Sequence, residues 1–97
     1  MTEIEERIRK CMAQIQHYRS YVGSARANQI VNELMKVENL AGNQDKRSIE
    51  TALKIVNELH QELMTSMYSS HVQTTLDSLK SIREQLEKAR EQFTWTT

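Results

Sequence analysis

Apolar residues recur every three or four positions along most of this chain, the spacing that lines one face of an α-helix. Ile4, Ile8, Cys11, Met12, Ile15, Tyr18 and Val22 form the first stripe, which predicts a helix over residues 3–22. Thr2 and Glu5 have the spacing of a capping box at its start. Glu3, Glu5 and Glu6 in the first turn and Arg19 near the far end suit the helix dipole. Gly23-Ser24 breaks the pattern, glycine placed to end one helix and serine to cap the next. A second stripe, Ala27, Ile30, Val31, Leu34, Val37 and Leu40, predicts a helix over 25–41, with Met35 on its flank.

The chain stops and restarts again at Leu40-Ala41-Gly42-Asn43-Gln44-Asp45. Gly42 is suited to a left-handed residue closing one helix and Asp45 to the cap of the next. A third helix over 46–68 carries the seam Ile49, Ala52, Leu53, Val56, Leu59, Leu63 and Met67. Ile55, Met64 and Tyr68 lie off that seam and either widen the buried stripe or form an exposed patch. Near Tyr68-Ser69-Ser70-His71 the phase slips. Downstream the seam reads Val72, Leu76, Leu79, Ile82, Leu86, Ala89 and Phe93, a fourth helix over 71–93 for which Ser70 and Gln73 offer a capping box. Alternatively, one long helix continues through the joint and projects from a three-helix body. The expected architecture is all-α: an antiparallel bundle of three to four helices in one domain, its last helix either packed, projecting or paired in a coiled coil.

Composition agrees with that reading. The 97 residues include two glycines and no proline, and 27% are charged. A chain of this size buries only somewhat more than about 60% of its unfolded surface, so the helices must share one core. Thirteen basic residues balance thirteen acidic ones. The neutral balance lacks the basic footprint expected of a nucleic-acid binder or of a surface made for anionic lipid. A single cysteine, Cys11, allows no internal disulfide and fits a reducing compartment. The acidic opening is unlike a secretory signal, and no apolar run approaches the roughly 18 residues of a membrane span. A cytoplasmic location is expected.

Chemistry is sparse. His17, His60 and His71 have neither a second ligand at metal-site spacing nor a cysteine pair nearby, and no glycine-rich phosphate loop exists. No nucleophile stands beside a base, so the expectation is a protein without catalytic, metal or cofactor residues. Binding is the remaining class. Residues suited to partner contact are Met35, Ile55, Met64 and Tyr68 and, on the last helix, Leu76, Leu79, Leu86, Phe93 and Trp95. Val72, Leu79, Leu86 and Phe93 repeat every seven residues, a seam through which a second copy could form a homodimer.

Ser24 to Leu34, then Leu40-Ala41-Gly42-Asn43-Gln44-Asp45, Ile49-Glu50-Thr51-Ala52 and Glu58-Leu59-His60-Gln61-Glu62-Leu63-Met64, together resemble the C-terminal helical lid of DnaK-type chaperones, the heat shock protein 70 family. In that lid a short helix ends at a glycine-acid turn, and the next opens on an isoleucine and a small residue before a leucine seam. The resemblance spans residues 5–68 and implies a lid that covers a peptide-binding groove and slows client release. Its partners would be unfolded peptides held by the parent chaperone, whose ATP cycle belongs to other domains. The family's lid is followed by a flexible polar tail, whereas residues 77–93 here are patterned. The alternative is a small helical adaptor or regulatory protein that binds a partner through an exposed apolar helix face.

Overall fold

A computed structural model describes the chain over residues 2–95 and side-chain surroundings over residues 2–92. Thr2 opens the first helix. Its Oγ1 accepts the Glu5 N–H at 3.2 Å, one half of the expected capping box. Helix α1 (Glu3–His17) stops before Tyr18, whose φ of −94° and ψ of 18° interrupt it, and one more turn follows as α2 (Arg19–Val22). The single helix expected over 3–22 is therefore a helix and a turn. Tyr18 is anchored at the break by its hydroxyl, 2.9 Å from Thr74 Oγ1.

Gly23 alone connects α2 to α3 (Ser24–Gly42). Its φ of +93° is the conformation that glycine adopts without a Cβ penalty. The Gly23 N–H donates to the Arg19 carbonyl at 2.8 Å, and the Gly23 carbonyl accepts from Ala27 at 2.9 Å. Gly23 itself is thus the N-cap, and Ser24, expected to cap, is the first residue of the helix. The next connection also differs from expectation. Gly42 lies inside α3, and the left-handed residue is Gln44, with φ of 55°. The helix runs one residue past its expected end at 41, leaving residues 43–45 as the whole connection. Asp45 caps α4 (Lys46–Met64) as expected: Oδ1 accepts the Ser48 N–H at 2.8 Å and Oδ2 the Ser48 hydroxyl at 2.9 Å. These bonds from the Ser48 backbone and hydroxyl hold the carboxyl below its usual range.

Helix α4 ends four residues earlier than the predicted limit of 68. Thr65 and Ser66 donate their hydroxyls to the Gln61 and Leu63 carbonyls at 2.9 and 2.7 Å, so side chains take up the last acceptors of the ladder. Met67, assigned to the seam by spacing, falls beyond the helix and is fully exposed. The chain then passes through a 3₁₀ turn (Ser69–Val72) into α5 (Gln73–Trp95). The helix expected from residue 71 thus starts at 73, and this turn takes the place of the capping box expected at Ser70.

Helix α1 packs against α3 and α5, and α4 packs against the same two, so the helices form a closed ring. Cross-links fix their directions. Arg9 meets Glu38 and Arg19 meets Asn28 between the first and second limbs; Arg7, Gln14 and Tyr18 meet Ser81, Ser78 and Thr74 between the first and last. Each pairing runs antiparallel, which makes an up-down-up-down four-helix bundle. Its single core cluster draws on every limb: Ile8, Cys11 and Ile15; Ala27, Ile30, Leu34 and Val37; Ile49 through Leu63; and Val72, Leu76, Leu79, Ile82 and Leu86. Burial pushes the Cys11 thiol up to about 12, the behaviour of an inert core cysteine. No helix among the described residues is long and apolar enough to cross a membrane.

Candidate functional site

The residues expected to contact a partner part company in the fold. Leu76, Leu79 and Leu86 are buried, because the face of α5 that repeats every seven residues is covered by α1 and α4 of the same chain. They offer no exposed face to a partner, and the last helix neither projects nor shows its seam. Ile55 and Tyr68 are half-buried and pack against the core, which is the widened-stripe alternative. Met35 stands exposed in the middle of α3, and Met64 is exposed at the end of α4. The side chains of Phe93 and Trp95 lie outside the described residues.

Exposed large apolar side chains gather instead near one end of the bundle, where α2 and the segment after α4 meet. Met67 is 100% exposed, Tyr21 48% and Met64 47%. The Tyr21 ring stacks on His71 with centroids 4.6 Å apart, joining α2 to the 3₁₀ turn. Tyr18 lies edge-on to His17 at 5.2 Å and 6.3 Å from Tyr21, so the aromatic rings form a connected group. Such contacts are worth about 0.5–1.5 kcal/mol each when buried and less on a surface like this one.

Charge sets this end apart. Residues 11–25 contain one fixed charge, Arg19, and residues 63–76 contain none. Charges crowd the other end instead, with six of the nine residues 2–10 and seven of the twelve residues 80–91 charged. Depletion of charge together with tyrosine and methionine is the composition of an interface core. One long charge-free stretch and a second with a single charge, in a chain that is 27% charged, were the available sequence signal, and helical periodicity alone passes over it.

Arg26 marks the border of this end. Its guanidinium grips Glu62 of α4 in a two-pronged pair, Nε to Oε2 at 2.8 Å and Nη2 to Oε1, and reaches Glu33 at 3.3 Å. The Glu62 bonds, foremost, raise its already high pKa. This is a staple between α3 and α4. By contrast, Arg19 donates from Nη2 to Asn28 Oδ1 at 2.7 Å, while its Nε is enclosed without an acceptor.

A concavity of about 650 Å³ runs between α1 and α5, away from the charge-poor end, and is lined by Glu3, Glu6, Arg7, Lys10, Gln14, Asp77, Ser78 and Ser81 among others. Arg7 is committed there to Glu3 and Ser81, and Gln14 Oε1 accepts the Ser78 hydroxyl at 2.8 Å. These bonds knit two helices together along an open, mixed-charge groove. No group of three or more His, Cys, Asp or Glu suited to a metal ion occurs among the described residues.

Comparison with known proteins gives no assignment: no family model matches the chain, and neither a curated protein nor a solved structure matches it.

Proposed function

We propose that this chain is a non-catalytic helical module that works by binding another protein at its charge-poor end. The observation that carries this reading is the concentration of exposed Met67, Tyr21 and Met64 where Arg19 is the one fixed charge, while the apolar seams of the helices face the core. Methionine repacks readily against varied apolar partners, and tyrosine combines contact area with a hydroxyl. The test is site-specific photo-crosslinking of the full chain in its native cell. A crosslinker at Met67 is expected to give a discrete adduct, and one at exposed Glu84 on α5 none. Equal yields at the two positions sink the proposal. Met67→Glu should abolish the partner adduct formed by a crosslinker at Met64 and change stability by no more than about 0.5 kcal/mol, the usual range for a surface site.

A second reading, a lid of the DnaK type, draws on a separate observation. Helix α3 ends at Leu40-Ala41-Gly42, a three-residue turn follows, and Ile49 and Ala52 lie buried at the head of the leucine seam of α4. On that reading the module covers a peptide groove and slows client release. Against it, α5 belongs to the same core as the other helices, where the family has a flexible tail. Grafted in place of the lid of a DnaK-type chaperone, the chain should slow peptide release relative to a lidless control; an unchanged release rate removes this reading.

A further inference from the structure

We infer that the partner segment received at the charge-poor end carries a carboxylate, which pairs with Arg19. The inference rests on the binding reading above and specifies the chemistry of the partner. Arg7, Arg9, Arg26 and Arg83 each have a carboxylate within ion-pairing distance in the fold: Glu3, Glu38, Glu33 with Glu62, and Glu87. Arg19 and Arg47 have none among the described residues, and of these two Arg47 is exposed at the opposite end, beside the Asp45 charge. Arg19 is half-buried on the single turn α2 that also carries exposed Tyr21, reaches toward α3 where Nη2 engages the neutral amide of Asn28, and keeps an enclosed Nε with no hydrogen-bond partner among the described residues. A guanidinium offers five N–H donors in a planar fork that matches a carboxylate. Residues 11–25 and 63–76 supply no acid, and Glu33 and Glu62 at the border are held by Arg26, so an opposite charge arriving where water is partly displaced interacts more strongly than at an open surface.

The surroundings also narrow the occupant. A phosphate dianion is served by a cluster of cations, and Arg19 is the one fixed cation here, so a singly charged carboxylate is the better match. A second copy joined symmetrically through this end would bring a second Arg19 and no acid, because residues 11–25 and 63–76 contain neither aspartate nor glutamate. The occupant is therefore a segment of another protein, with apolar side chains for Met64, Met67 and Tyr21 and one acid for Arg19.

The test uses the full chain with ¹³C-methyl methionine, followed by NMR as two blocked six-residue peptides are added. Both contain leucine and phenylalanine; one has a central aspartate and the other asparagine. The expected result is that the Met64 and Met67 methyl signals move with both peptides while Met35 stays still, and that the aspartate peptide binds about tenfold tighter, the scale of one charged hydrogen bond. Arg19→Gln should erase that difference and Arg19→Lys should keep part of it. Equal affinity of the two peptides for the unaltered chain overturns the carboxylate inference and leaves the binding reading standing. Failure of both peptides to move Met64 and Met67 overturns both.

Discussion

At the end of the bundle that holds residues 43–45, the chain reverses with side-chain help: Asp45 grips Ser48 twice, Asn43 Nδ2 reaches Ser48 Oγ at 3.4 Å, and charged residues crowd the adjoining helix ends. At the opposite end it reverses through backbone conformation and ring packing, by Gly23 at φ +93° and by the Tyr21–His71 stack over the turn that leads into α5. The difference has a consequence for surface chemistry. Polar side chains at the first end are occupied in holding the turn, so what faces outward is a charged, solvated surface. At the second end the Gly23 backbone, the ring stack and the local Thr65 and Ser66 hydroxyl bonds hold the turns, leaving Met64 and Met67 outward, Tyr21 half exposed, and Arg19 without an acid among the described residues. A turn held by glycine and short hydroxyls leaves its larger apolar side chains available for recognition.

The largest expected effect tests whether the two ends share one core. Leu34 is fully buried midway along α3, and Leu34→Ala should remove about 2–5 kcal/mol through lost contacts and a residual cavity. Hydrogen exchange should then speed up together in the slowest amides of α1, α3, α4 and α5. If only the amides near one end respond, the ends are separate folding units and the comparison must be recast.

A smaller effect separates the two glycines. Gly23→Ala meets no steric neighbour but forces a Cβ onto a backbone at φ +93°, and should destabilise by about 1–3 kcal/mol. Gly42→Ala also meets open space but sits in helical conformation, so it should stabilise by about 0.5–1 kcal/mol. Gln44→Gly should likewise gain about 0.5–1 kcal/mol by removing the side chain at φ 55°. Thermal melts decide all three, at about 4–8 °C per kcal/mol for a domain of this size. The same sign for both Gly→Ala changes would show that conformation does not distinguish the two turns.

Those glycines also show where the sequence could be read and where it could not. Four helical limbs, their seams and the Asp45 cap follow from spacing and turn chemistry, because burying an apolar stripe decides the rotation of each helix. Gly42 looked like the closing residue because glycine favours the left-handed region, yet the helix continues through Gly42 to a cap at Asn43 and the left-handed role moves to Gln44. Met67 fitted the seam by spacing, but Thr65 and Ser66 ended the helix first. Leu76, Leu79 and Leu86 fitted a coiled coil because a bundle core and a dimer seam have the same period. Arg19 was unreadable in advance. Only the fold shows which arginines find acids, since Glu62 is 36 positions from the Arg26 it holds.

The mildest test concerns acid. His60 is half-buried on α4, and burial first, then the nearby charges of Arg83 and Lys80 on α5, lower its pKa from the ordinary 6.5. The unfolded chain therefore takes up this proton before the folded one does. Stability from neutral His60 is present above pH 6.5, declines as pH falls below it, and is lost below the folded pKa. Asp45 behaves in the opposite chemical sense with the same outcome. Its carboxyl is held low, so its contribution is present above pH 3.8 and disappears as pH falls through its folded pKa. Chemical denaturation at a series of pH values should thus show two separate declines, a shallow one below 6.5 and a later one in the carboxylate range. His60→Gln should flatten the first and leave the second, and Asp45→Asn should do the reverse. A His60→Gln variant whose stability still falls with the same slope between pH 6.5 and 5 would remove His60 from the account.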